Sequence, residues 1–323
     1  MSFPVALLGR HFWIIAWAAL LCGALFPWPL PGGRQAMPVL LACVLFFTCL
    51  KVSFVRIGRE LAVWPRILAL AALKLLVLPL PVFLLAWWLA PDWAPGLFLL
   101  AAMPAGMTSG AFADVQRGNV ALALALILVT SALAPFTVPP LLGVAGQLTG
   151  VATRGADIAV MAAQAAFLAG MLLAPLTLAQ FVRWRWPGWI ERKRAGFTTI
   201  ALGCNAVLLF VATVAARDRL AALAVDPRRL VTLPLIGVVL VSAVFLVCGR
   251  LLRIWLAPAD AVAFTCNAVY MNNGLGMVFA MAFFPEDPRL MLPSLLMAVP
   301  MTFTVCLVGR LVGRLDGPPA EGP

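Results

Sequence analysis

Few residues in this chain of 323 could do chemistry, and their positions matter as much as their types. Lys74 stands about nine residues inside a long apolar run. Two clusters of helix-breaking and polar residues lie about half a chain apart. The first is Pro104-Ala-Gly-Met-Thr-Ser-Gly110, which offers Thr108, Ser109 and Gly110. The second is Asn267-Ala-Val-Tyr-Met-Asn-Asn-Gly274, which offers Asn267, Tyr270, Met271, Asn272 and Asn273. Thr130 and Ser131 add two hydroxyls to the apolar run after the first cluster. A lysine at mid-bilayer costs roughly 2.5–3.5 kcal/mol even on a lenient insertion scale, which marks it as functional by default. From the centre of so long a run it is poorly placed to snorkel to an interface. A helix broken in the membrane frees N–H and C=O groups that lipid cannot satisfy. Those groups call for ions, water or substrate, and half-helix N-termini attract anions. The amides could instead be glue between helices.

Other chemistries lack their parts. His11 is the single histidine, so a histidine metal site or a catalytic triad has nothing to work with. The seven cysteines all fall inside apolar runs without CxxC spacing, and read as small buried hydrophobes. No carboxylate stands clearly at the centre of an apolar run to serve Lys74; Asp114 and Asp260 come closest, each near an end. No enzyme, metal site or cofactor is expected.

The elements that must position these residues are membrane helices. Hydrophobic residues make up 64% of the chain and charged ones 11%, against roughly 25% charged in soluble domains. Lipid is the solvent that accepts such a surface. A span needs about 20 apolar residues, and ten stretches qualify: 12–28, 37–55, 65–90, 95–115, 119–145, 156–182, 196–216, 229–252, 259–284 and 289–314. The first reads as a spanning helix rather than a cleaved signal, since it is long for an h-region. Turn and charge signals separate the stretches, among them Pro31-Gly32-Gly33, Arg56 to Glu60, Pro91-Asp92, Arg117-Gly118, Arg154-Gly155 and the Arg183 to Arg194 cluster.

The net charge of +11 sits in these separators and forms no basic stripe, so no nucleic-acid partner is expected. The larger positive set includes Arg10, Lys51, Arg56, Arg59, Arg117, the Arg183 to Arg194 cluster, Arg250, Arg253 and Arg310. The smaller set is Arg34, Arg154, Arg217, Arg219, Arg228, Arg229 and Arg289. The positive-inside rule then puts both termini in the cytoplasm, with the protein in the plasma (inner) membrane. The chain is one domain, 1–323. Its halves, about 1–150 and 151–314, each hold five spans and are expected to have inverted topology, with matching interruptions. Such interruptions point to a transporter's binding site.

The stretch Pro104-Ala-Gly-Met-Thr-Ser-Gly-Ala-Phe-Ala-Asp-Val-Gln-Arg-Gly-Asn-Val-Ala-Leu122 resembles the P-G-G-T-x-S-N…(K/R)-G-(N/D)-x-A-L pattern of the bile acid:sodium symporter family. Met271-Asn-Asn-Gly-Leu275 resembles the family's Q-N-S-G-L in the ninth helix. The resemblance implies an all-α protein of ten transmembrane helices in a core and a panel domain, with broken helices four and nine crossing. It also implies an organic anion as substrate.

The departures from the family carry their own message. The family's first sodium site falls on Ser109, Gly110, Ala123, Ile127 and Asn267, the last replacing a glutamate. The glutamines of its second site fall on Met271 and Lys74. Ala, Ile and Met supply no hard oxygen, and Asn267 supplies no anion. A protonated Lys74 would give the crossing the net positive charge that one glutamate and two sodium ions give in the family. The expectation is a carrier of a small or amphipathic organic anion in which Lys74 replaces bound sodium. Lys74 either cycles its proton or stays charged. The alternatives are a sodium-coupled anion symporter with a relocated ion site, and a membrane sensor that binds without transporting. The residues expected at the site are Lys74, Thr108, Ser109, Gly110, Thr130, Ser131, Asn267, Tyr270, Met271, Asn272 and Asn273.

Overall fold

The structure, a computed structural model, describes residues 12–26, 28, 30–51, 63–149, 157–224, 227–298 and 300–312, and every regular element among them is helical. His11, the Arg56 to Glu60 and Arg154-Gly155 separators, and the chain beyond Val312 lie outside the described residues. In chain order the helices are α1 (Phe12–Leu25), α2 (Gly33–Cys49), α3 (Trp64–Ala72), α4 (Pro79–Leu89), α5 (Ala94–Ala102), α6 (Ser109–Val115), α7 (Val120–Thr149) and α8 (Ile158–Arg185). They continue with α9 (Pro187–Ala215), α10 (Arg217–Ala224), α11 (Pro227–Leu252), α12 (Pro258–Val269), α13 (Asn273–Phe283), α14 (Pro288–Met297) and α15 (Pro300–Leu311).

Among the described residues, five helices are long and apolar enough to cross a membrane: Trp64–Leu89, Val120–Leu148, Ile158–Arg185, Pro187–Ala215 and Leu235–Leu252. The outer faces of these helices and of α1 are hydrocarbon. Leu25 is 81% exposed and Trp88 80%, with Leu84, Phe136, Ile158 and Trp184 also turned outward. An apolar surface this continuous is stable only in lipid, where a helix satisfies its own backbone.

The helices sort into two groups. α1, α2, α8 and α9 pack on one another, while α3 to α7 and α11 to α15 pack around two broken segments. α7 lies along α8 and joins the groups. The C-terminal end of α2 is tied to α8: Gln180 Nε2 donates to the Cys49 carbonyl at 3.1 Å and Arg183 Nη1 to the Leu50 carbonyl at 2.7 Å. Two of the carbonyls orphaned at that helix end are thereby satisfied. α2 stops at Cys49, shorter than the 37–55 stretch read from hydropathy, so Lys51 lies beyond it in a turn.

Local chemistry sets the breaks. Pro104 disfavours helix at the residue before it, and Met103 is extended (φ −62°, ψ 146°), which ends α5 at Ala102. The second break is narrower than the sequence pattern. α12 runs to Val269, so Asn267 sits in its last turn, and only Tyr270 to Asn272 leave the helix. Asn272 caps α13 by accepting from the Leu275 N–H at 3.1 Å. A third irregularity surrounds Lys74. Pro79 has no N–H, and its ring would crowd the Leu75 carbonyl in an α-helix. The chain instead widens into a π turn over Leu73–Val77, closed by the Leu78 N–H on the Leu73 carbonyl at 2.9 Å. Lys74 and Leu75 turn inward while Leu76 and Val77 face out.

Candidate functional site

The two breaks meet and share backbone hydrogen bonds. The Gly106 N–H donates to the Tyr270 carbonyl at 2.8 Å, and the Asn272 N–H donates to the Pro104 carbonyl at 3.0 Å, an antiparallel bridge centred on Ala105 and Met271. The approach needs glycine at 106, where a Cβ would lie 2.9 Å from the Met271 carbonyl oxygen and from the Tyr270 ring. Backbone groups freed within a membrane call for ions, water or substrate. Four of them instead satisfy one another.

Lys74 reaches this crossing. The residue is 1% exposed, and its ammonium donates to the Ala101 carbonyl at 3.1 Å and to the Met103 carbonyl. These oxygens terminate α5, where the helix macrodipole leaves partial negative charge. The partner sought among the carboxylates is therefore a helix end. Asp260 is taken elsewhere: it pairs with Arg66 and accepts from Asn119 Nδ2 at 2.8 Å. Asn119 also caps α7 through its oxygen and the Leu122 N–H at 3.1 Å. The Arg117-Gly-Asn stretch thus builds the α6–α7 turn, with Arg117 in the left-handed region at φ 59°.

Beside the crossing runs a neutral chain of hydrogen bonds. Asn267 Nδ2 donates to the Ala123 carbonyl at 3.0 Å, and Asn267 Oδ1 accepts from the Ser109 hydroxyl. Ser109 also lies 2.6 Å from the Gly106 carbonyl. A Cβ at Gly110 would stand 3.0 Å from Leu124 Cδ2 and 3.6 Å from Ile127 Cδ1, so hydrocarbon fills that flank. The Thr130 hydroxyl bonds back to the Leu126 carbonyl at 2.7 Å and receives the Ala105 N–H at 3.3 Å. Ser131 Oγ, Asn272 Nδ2, Asn273 Oδ1 and Ser294 Oγ are buried without a hydrogen-bond partner.

A cavity of about 380 Å³ opens between the crossing and the α2–α9 wall. Thr108, Tyr270, Met271, Asn272 and Asn273 line it. Lys74, Ser109, Gly110, Thr130, Ser131 and Asn267 do not, and instead brace the crossing from behind. Tyr270 packs its ring 4.8 Å from that of Phe112.

Sequence reasoning missed the opposite wall: Thr48 in the last turn of α2, Lys51 just after it, and Thr198 and Asn205 on α9. The available signal was a lysine inside the 37–55 apolar stretch, read only as a topological charge. Lys51 Nζ donates to the Thr198 hydroxyl at 3.2 Å. Burial, and then the neighbouring Arg194, hold its pKa below the ordinary 10.5. A Cβ on Gly274 would meet Leu41 Cδ1 at 3.1 Å, so Leu41 is level with the crossing. Ten residues of rise separate Leu41 from Lys51, which makes the chamber roughly 15 Å long.

The family model described as Sodium Bile acid symporter family matches residues 38–223, more than half of the chain, including the first break. Among curated proteins, the uncharacterized protein YbaS of Bacillus subtilis (strain 168) is 33% identical over 129 residues, which is 38% of this chain and 40% of that protein. The match thus spans less than half the length of that relative.

Proposed function

The chain belongs to the sodium bile acid symporter family, and we propose that it is a secondary carrier of a small or amphipathic organic anion that works without sodium, Lys74 standing in for a bound cation. The observation that carries this reading is the ammonium of Lys74 on the α5 carbonyls. Carbonyls at a helix end are where a cation is held in such carriers, and a tethered ammonium supplies one without an ion.

The residues at the family's first sodium site do not fit sodium. Ser109, Asn267 and the Ala123 carbonyl close a hydrogen-bond chain in which the amide N–H points at an oxygen sodium would need. Leu124 and Ile127 flank Gly110. At the second site, Met271 offers a thioether and Lys74 a charge of the same sign as sodium. Sodium prefers hard oxygen ligands.

In the carrier proposed here the single domain, 1–323, spans ten times in two inverted halves. α1, α2, α8 and α9 form the panel, and the remaining helices form the core that moves against it. The cavity lies between these parts and extends toward the Lys51 end. By the positive-inside rule that end is cytoplasmic, with both termini there and the protein in the plasma membrane. The arrangement then corresponds to the inward-open state of alternating access. Lys74 offsets the negative end of α5, so the crossing presents no net negative field to an anion in the cavity.

The test is thermal melting of the purified protein in sodium and in potassium, for wild type and Lys74→Gln. A melting point indifferent to sodium is expected. Saturable, sodium-specific stabilisation of wild type would overturn the reading and favour a relocated ion site, for which the buried oxygens of Ser131, Asn273 and Ser294 are the candidates.

A further inference from the structure

The mouth of the cavity is more selective in its charge than its centre. Lys51 closes one end and is the cation that lines the chamber. Glu191, the carboxylate at the start of α9, is already engaged by Arg194 at 3.1 Å and Arg183 at 3.8 Å. Among the described residues Lys51 has no carboxylate partner. It holds the Thr198 hydroxyl, which accepts one of its three protons and leaves donors for a ligand. Between this end and the crossing the walls are mostly hydrocarbon, from Leu41, Val44, Leu45, Ala201 and Leu202, with Thr48 and Asn205 as neutral polar groups among them. The far end offers neutral amides, since Lys74 is turned away from the chamber onto α5.

A chamber with one cation at its mouth, about 15 Å of mostly apolar wall and neutral amides at its end fixes which way round an amphipathic anion sits. We propose that Lys51, with Thr198 beside it, is the acid-group subsite of the chamber, so that the carried anion sits with its charged group at the mouth and its apolar body reaching toward Asn272. This rests on the reading of the cavity as the carrier's substrate chamber. Charge selects the ligand at the mouth, where Arg183, Arg194 and the adjacent basic residues also raise the local anion concentration. The apolar walls then supply affinity without discriminating among bodies of similar size. A dianion would place its second charge against hydrocarbon or against neutral amides.

The experiment compares two fluorescent probes that differ by one charged group, anilinonaphthalenesulfonate and the uncharged N-phenylnaphthylamine, in saturation binding to the full chain in lipid nanodiscs. In Lys51→Met the sulfonate probe is expected to lose about ten- to a hundredfold in affinity, the worth of a charge-assisted hydrogen bond, while the neutral probe is unaffected. Lys51→Arg should largely retain the sulfonate probe. Leu202→Trp, which fills the chamber from a half-buried position, should lose both probes. If Leu202→Trp loses both probes but Lys51→Met weakens both alike or neither, the Lys51 subsite is wrong and the chamber stands. If wild type binds neither probe saturably, or Leu202→Trp changes neither, the chamber reading fails and takes the subsite with it.

Discussion

Truncating Lys74 to alanine should damage the crossing, and a free alkylammonium should repair it. The side chain does two things: it satisfies the Ala101 and Met103 carbonyls, both buried, and it fills the space beside the π turn. Hydrogen bonds from a charged group contribute about 1.5–3 kcal/mol each, and emptying the space of a long side chain costs about 2–5 kcal/mol. The low ends apply, because a chain unfolded within a membrane also finds polar partners. Two bonds and the void then total roughly 5 kcal/mol. Unfolding entropy of about 2.1 cal/mol/K per residue gives roughly 0.7 kcal/mol/K over 323 residues, so Lys74→Ala should melt about 7 °C lower. Propylammonium replaces the atoms removed and should restore much of that loss in a saturable manner. The uncharged isostere propanol should restore little, and Lys74→Met, which leaves no space, should not respond. The assay is thermal melting of each variant across additive concentration. A Lys74→Ala protein that melts like wild type would refute the claim that the ammonium holds the end of α5. Equal rescue by propanol would show that the side chain fills space and that its charge is immaterial.

Gly106→Ala should cost about 2–4 kcal/mol by melting, since its Cβ meets the partner backbone and parts the bridge. Gly170→Ala, at a helical position with open space around it, should be neutral or stabilising by up to ~1 kcal/mol; equal losses at both would remove the crossing as the cause. For Lys51 the sign runs upward with pH. The folded protein releases this proton at lower pH than the unfolded chain does, so between the lowered pKa and 10.5 the unfolded state holds more protons and stability rises. The pH-dependent difference between wild type and Lys51→Met in melting experiments should show that rise, and a flat difference would count against it. Arg66→Met should lose about 1–2 kcal/mol, a value reduced because Arg66 is 35% exposed. Adding Asp260→Asn should recover part of it, and a double variant no better than the single would mean the two residues are uncoupled.

The family relationship and the helical, membrane-spanning character were legible from short-range features. Apolar runs report the solvent directly, and Pro104 ends α5 through the restriction it places on its neighbour. The depth of Lys74 in its run was equally plain. Its partner was not, because backbone carbonyls are invisible to a search for carboxylates. The second break was read a few residues too wide for a related reason: Asn267 is polar, yet it stays helical because its side chain finds Ser109 and Ala123.

By itself the sequence determined which residues are costly to bury and where the backbone must leave the helix, since both follow from side-chain charge and from proline and glycine stereochemistry within a few residues. Only the tertiary structure decided which of those residues meet. Lys74 joins α5 through a π turn, the two breaks satisfy each other's backbone, and Lys51 comes to face Thr198 across the mouth of a chamber. These contacts depend on how α2, α5, α9 and α13 are placed against one another, and packing between distant helices leaves no local pattern in the chain.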